Sequence, residues 1–143
     1  MRLKALLVGL VCAAPSVQAD EVISRSFDGS FDDAAFAVES AIVDRGLVID
    51  YVSHVGEMLA RTGGDVGSDK ELFVEADIFI FCSAVVSREV MEADLMNLAH
   101  CPYGVFVAET ADGVMVGHRT YPDGPMEKVE ALLSEIVDEA VDG

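Results

Sequence analysis

The feature that most limits the fold is a change of hydrophobic period along the chain. Phe31, Ala35, Val38 and Ile42 recur at helical spacing, and Met126, Val129, Leu132, Leu133, Ile136 and Ala140 do so again near the end. The other apolar stretches follow strand periods. Val22, Ser24 and Ser26 alternate with Ile23, Arg25 and Phe27 in Glu21–Phe27, and Leu47, Ile49, Tyr51 and Val55 share one face of Leu47–Val55. Asp77–Ser83 is apolar on both faces through Ile78, Phe79, Ile80 and Phe81, the pattern of a central, covered strand. Tyr103–Glu109 and Val114–Tyr121 are joined by Asp112-Gly113, a hairpin signal. The order is strand, helix, strands with one helical insert, hairpin, helix. That order predicts an α+β fold, a mostly antiparallel sheet of about five strands with two long helices packed on one face, rather than alternating βαβ units.

Local punctuation supports the boundaries. Asp28-Gly29 turns the chain, Ser30 can cap a helix, and Asp32 and Asp33 suit the positive end of its dipole. Gly46 stands where that helix needs a left-handed residue to stop. Asp123-Gly124-Pro125 opens the last helix, with Pro125 fitted to a first turn. Ser87–Ala99 reads as the inserted helix, with Met91, Leu95 and Leu98 inward. Gly56–Glu71 holds Gly56, Gly63, Gly64 and Gly67, which predicts one helical turn and then a flexible loop. Its Lys70 does not directly follow a glycine, and no strand–loop–helix frame surrounds it, so it is not read as a phosphate loop.

The first nineteen residues are of another kind. Arg2 and Lys4 precede an unbroken apolar run from Ala5 to Ala14, Pro15 and Ser16 break it, and Val17-Gln18-Ala19 ends it. A charged start, a short apolar run and a small-residue end form a secretory signal, too short to span a bilayer. Residues 1–19 are therefore expected to be removed after Ala19, leaving a single domain over 20–143 in the periplasm or secreted. No membrane span is expected after cleavage.

Charge narrows the partners. The chain has 9 basic and 26 acidic residues, a formal net charge of -17, and both charges in the leader are positive. Nucleic acid is excluded as a partner, because phosphates need Lys and Arg clusters. With 52% hydrophobic residues in clear periods, disorder is excluded as well.

The arrangement resembles a known family, the domain of unknown function 302 family. The resemblance rests on Phe31 and the helix ending at Gly46, then Gly56-Glu57-Met58-Leu59, Phe81-Cys82-Ser83, Cys101-Pro102 before a strand, and the Val114–Arg119 strand after a turn. It implies a β-α-β-sheet-α arrangement similar to the TATA-binding-protein-like superfold, with the Ser87–Ala99 helix inserted. It implies no reaction.

Chemistry-bearing residues are few. Cys82 and Cys101 are the cysteines left after export, one ending a strand and one preceding another. If those strands are antiparallel neighbours the sulfurs can meet, and in an oxidising compartment such thiols pair, contributing about 3 kcal/mol by loop entropy. Two buried free cysteines acting as small hydrophobes are the alternative. His100 beside Cys101 makes a metal or haem site the sharper idea, and Cys and Met suit Cu(I), but no C-x-x-C or H-x-x-x-H spacing accompanies them. No nucleophile frame of a hydrolase is present, so no catalytic residue is assigned and the chain is read as non-enzymatic. A ligand groove is expected from Gly56, Met58 and Arg61 together with His118, Arg119 and Tyr121, either between sheet and helices or beside the glycine-rich loop.

Two functions follow. The first is an exported binding or accessory domain for a small apolar ligand or a protein segment, without a cofactor, with a homodimer left open. The second is a periplasmic thiol- or metal-handling protein, for copper or haem, centred on Cys82, Cys101 and His100.

Overall fold

The structure is a computed structural model that describes residues 22–143, so the expected leader and its cleavage site lie outside the described residues. Five strands form one antiparallel sheet: β1 (Val22–Phe27), β2 (Val48–Ser53), β3 (Glu75–Cys82), β4 (Tyr103–Thr110) and β5 (Gly113–Arg119), in the order β1-β5-β4-β3-β2. Two long helices, α1 (Phe31–Asp44) and α4 (Glu127–Asp142), lie side by side on one face. Between them in sequence come α2 (Val55–Thr62) and α3 (Ala84–Ala93), and short 3₁₀ turns at Gly64–Val66 and Leu95–His100. The α+β class and antiparallel sheet are those read from the periods.

Helix α1 begins where the sequence places its cap. The Ser30 hydroxyl accepts from the Asp33 amide, and the Asp33 carboxylate accepts from Ser30 in return. Asp33 is held below its ordinary pKa by those hydrogen bonds. At the other end Gly46 takes φ 72°, which lets the Leu47 amide turn back to Ile42. The helix buries Phe31, Ala34, Val38, Ala41 and Ile42 against Phe79, Phe81, Val105, Val107 and Val116 of the sheet. Helix α4 adds Val129, Leu133, Ile136, Val137 and Ala140. Arg25 of β1 fastens α4 through Asp138 and Asp142, at 2.9 and 2.7 Å, and Arg45 at the end of α1 pairs with Glu139.

Four local expectations are corrected. In β2 the register slips between Ile49 and Tyr51, so Asp50 is bulged out and Tyr51 crosses to the face opposite Ile49. Tyr51 is 64% exposed there. Helix α3 does not run to Ala99: Asp94 adopts an extended φ of -154° and caps the following 3₁₀ turn through the Met96 amide. The helical phase is lost at that break, so Leu95 and Leu98 face outward instead of inward. The Gly56–Glu71 stretch carries an eight-residue helix and a 3₁₀ turn rather than a single turn. Finally, β3 has neighbours on both sides but α1 covers only one of its faces. Phe79 and Phe81 are buried, whereas Ile78 and Ile80 on the opposite face are half-buried.

Candidate functional site

That second face of the sheet holds the groove. Alternation along paired strands puts Ile78 and Ile80 of β3 beside Phe106 and Gly104 of β4, and Phe106 beside Gly117 of β5. Two of these positions lack side chains: the Phe106 ring lies over Gly117, and Gly104 lines the hollow that remains. A Cβ on Gly117 would stand 2.4 Å from the Ile23 carbonyl oxygen and 2.6 Å from the Phe106 ring, so only glycine lets that ring lie across the strand. A Cβ on Gly104 would meet the Ile78 side chain at 3.1 Å. The resulting groove, about 410 Å³, is lined by Ile78, Ile80, Gly104, Phe106, the Ala99–Pro102 segment, Arg119 and Tyr121. Its size is that of a small-molecule site.

Polar groups gather at one end. Tyr121 meets the His100 ring edge-on at 6.0 Å between centroids and the Tyr103 ring at 6.2 Å. The Arg119 guanidinium lies 5.6 Å from the Tyr121 ring centre. The Tyr121 amide donates to Glu130, which fixes the backbone there. Burial pushes the Tyr121 phenol up to about 12, so it stays a neutral donor across the physiological range. Tyr103 is fully buried and shares a 2.9 Å hydrogen bond with the Ser87 hydroxyl.

Cys101 stands in the groove wall and Cys82 ends β3 beside it. Their sulfurs are 2.7 Å apart, and both are free and half-buried. Burial first, then the neighbouring Cys101, pushes the Cys82 thiol up to about 11. His100 borders the same groove, but its ring packs on Tyr121. Among the described residues no three His, Cys, Asp or Glu side chains converge as a metal site.

The six residues expected to line one groove are divided among four places. Arg119 and Tyr121 lie in the groove described above. Met58 and Arg61 border a separate polar hollow of about 370 Å³ with Tyr51, Ser53, His54 and Glu57. There the His54 ring meets the Asp77 carboxylate at 2.8 Å, which raises the His54 pKa. Gly56 is packed against β3, where a Cβ would fall 2.6 Å from the Ala76 nitrogen. His118 is fully buried under the helices on the other face of the sheet. Its Nδ1 is 2.8 Å from the Arg119 carbonyl, which can only accept, so the proton sits on Nδ1. The Ser134 hydroxyl is 3.0 Å from Nε2. Ile78, Ile80, Gly104 and Phe106 were not marked by the sequence. Phe106 and Gly104 share a strand face with Ala108, a small-residue pattern that hints at a hollow once the pairing is known.

The family described as domain of unknown function DUF302 matches residues 23–140. The chain belongs to that family. Among solved structures it is similar to an uncharacterized conserved DUF302 protein from Bacillus stearothermophilus, with a TM-score of 0.60 and 15% sequence identity, over 85% of this chain and 95% of that one. At that identity the likeness shows the DUF302 fold alone. No curated protein matches the chain. No helix among the described residues is long and apolar enough to cross a membrane.

Proposed function

We propose that this DUF302 protein is an exported, non-enzymatic binding or accessory domain whose groove on the open sheet face takes a small apolar molecule. One observation carries the reading: a hollow of about 410 Å³, floored by glycine and walled by Ile78, Ile80 and Phe106, on the face that the two long helices leave uncovered. Apolar walls with a few polar groups at one end are the usual composition of a small-molecule site. His100, Arg119 and Tyr121 would orient the occupant. The test uses the fluorescent probe 1-anilinonaphthalene-8-sulfonate. Wild-type protein should bind it, Ile80→Trp should fill the hollow and weaken binding at least tenfold, and Phe36→Ala should leave binding unchanged, because Phe36 is an exposed residue of α1. Equal binding by wild type and Ile80→Trp would defeat the proposal. Native mass spectrometry of protein taken from its own cells would then show which molecule is carried.

The close approach of Cys82 and Cys101 favours a second reading, thiol or metal handling with His100. Thiol exchange and metal ligation both need a thiolate. A Cys82 thiol pushed up to about 11 works against it, so the apolar-ligand reading leads.

A further inference from the structure

Cys82 is the last residue of β3, and Cys101 closes the 3₁₀ turn that leads into β4. Everything between them leaves the sheet and returns as one excursion, α3 followed by the 3₁₀ turn Leu95–His100. Its anchors sit mainly on α3. Val90 is the one buried residue of that helix, Val86 and Met91 pack partly buried against the core, the Ser87 hydroxyl reaches Tyr103, the Asn97 side chain donates to the Val90 carbonyl, and Lys128 pairs with Glu89. The 3₁₀ turn buries nothing: Leu95, Met96 and Leu98 are 79%, 74% and 63% exposed. Yet Ala99, His100, Cys101 and Pro102, where the excursion returns, form one wall of the groove. Loosely held segments with few buried contacts open readily. Here the loosely held segment ends at two sulfurs already 2.7 Å apart.

We propose that Cys82 and Cys101 are a reversible dithiol–disulfide pair, and that the disulfide staples the excursion to the end of β3 and fixes the groove wall. Its consequence for ligand affinity rests on the binding role proposed above; the staple itself does not. The reaction is thiol–disulfide exchange with a small disulfide such as glutathione disulfide. One cysteine loses its proton and attacks, its sulfur joins one glutathione sulfur, and the first glutathione leaves as a thiol. The second cysteine then attacks that mixed disulfide, the Cys82–Cys101 bond forms, and the second glutathione leaves. The two cysteine sulfurs together give up two electrons, and the incoming disulfide receives them and the two protons. Burial of Cys82 slows the step without forbidding it, and keeps the product from casual reduction.

The test uses the full chain, equilibrated with glutathione disulfide or with dithiothreitol. Peptide mapping should show a linked Cys82–Cys101 peptide only in the oxidised sample. Backbone hydrogen exchange over residues 95–101 should slow at least tenfold on oxidation and recover with dithiothreitol, while the Gly64–Val66 turn stays unchanged. Absence of the linked peptide, or equal exchange at 95–101 in both redox states, would overturn the staple. These readings come from the wild-type chain, so no variant has to fold for them. Cys82→Ser should abolish the response. The anilinonaphthalene probe is then titrated into both forms, with an affinity difference of at least threefold expected. Equal affinity overturns the coupling to the groove; binding to neither form overturns the binding role while the exchange data still judge the staple.

Discussion

At Cys82 the surroundings set how the thiol reacts. Burial and the adjacent Cys101 disfavour the thiolate, so its pKa rises to about 11. Below that value the thiolate fraction, and with it alkylation by iodoacetamide, should rise about tenfold per pH unit. Mass-resolved alkylation of Cys82 between pH 7 and 10 checks this; a plateau near pH 8 would mean that the thiol is not held in an apolar wall. His54 is shifted by a partner rather than by burial. Its hydrogen bond to Asp77, and then the charge of that carboxylate, raise its pKa above the ordinary 6.5. A histidine raised by folding adds stability that is complete below the unfolded pKa and is lost as pH rises through the folded one. The stability difference between wild type and Asp77→Asn should therefore be largest in mildly acidic solution and shrink toward alkaline pH. Proton NMR of the His54 ring should show a midpoint above 6.5 that falls in Asp77→Asn; an unmoved midpoint would contradict the pairing.

Elements differ in how openly their sequences declare them. Helix α1 carries its instructions locally, in Ser30, Asp33 and Gly46, and each does the work its residue type implies. The hairpin of β4 and β5 is equally local, with Gly113 at φ 124°. Helix α3 fails the same logic because Asp94 can cap a new turn as well as continue an old helix, and the amide of Met96 decides between them. The bulge in β2 is invisible for a related reason: one unpaired residue reverses the facing of every later side chain, and no residue type announces it. The groove was the least legible feature. Its walls come from three strands, and their meeting depends on pairing, on register and on which face the helices leave bare. The cysteines are legible as a pair through their positions at strand ends, whereas His118, which the sequence places in a cleft, lies in the core. Gly117 beneath the Phe106 ring and Gly104 in the groove offer a direct test of the register. Gly117→Ala should cost about 1–3 kcal/mol, because backbone of β1 and the Phe106 ring occupy the space of the new methyl. Gly104→Ala should cost less, since its nearest neighbours are side-chain methyls, the Ile78 Cγ2 at 3.1 Å and the Ile80 Cδ1 at 3.4 Å, rather than backbone. Urea unfolding midpoints of the two variants decide it, and the reverse order would mean that the β4–β5 register is wrong.

Taken whole, the molecule is governed by unbalanced charge. Its 26 acidic residues face 9 basic ones, and α4 alone presents Glu127, Glu130, Glu135, Asp138, Glu139 and Asp142. Arg25 and Arg45 draw three of these carboxylates toward β1 and the end of α1, and Lys128 spans to α3 through Glu89. These pairs lie at the surface, where each contributes roughly 0–1 kcal/mol and is weakened by salt. Repulsion among the remaining carboxylates is spread over the whole surface, opposes compactness, and is screened by the same salt. The two effects have opposite signs, so the salt response reports which is larger. A net charge of -17 against a handful of exposed pairs puts repulsion ahead. The thermal midpoint should accordingly rise by several degrees between low ionic strength and about half-molar sodium chloride, where the screening length falls from roughly 30 Å toward 4 Å. Arg25→Met should lower the midpoint most at low salt, where the clamp on α4 is least screened and the repulsion it offsets is greatest. A midpoint that falls steadily with salt in the wild type would show that the arginine clamps, rather than the surplus of carboxylates, dominate the electrostatics of this fold.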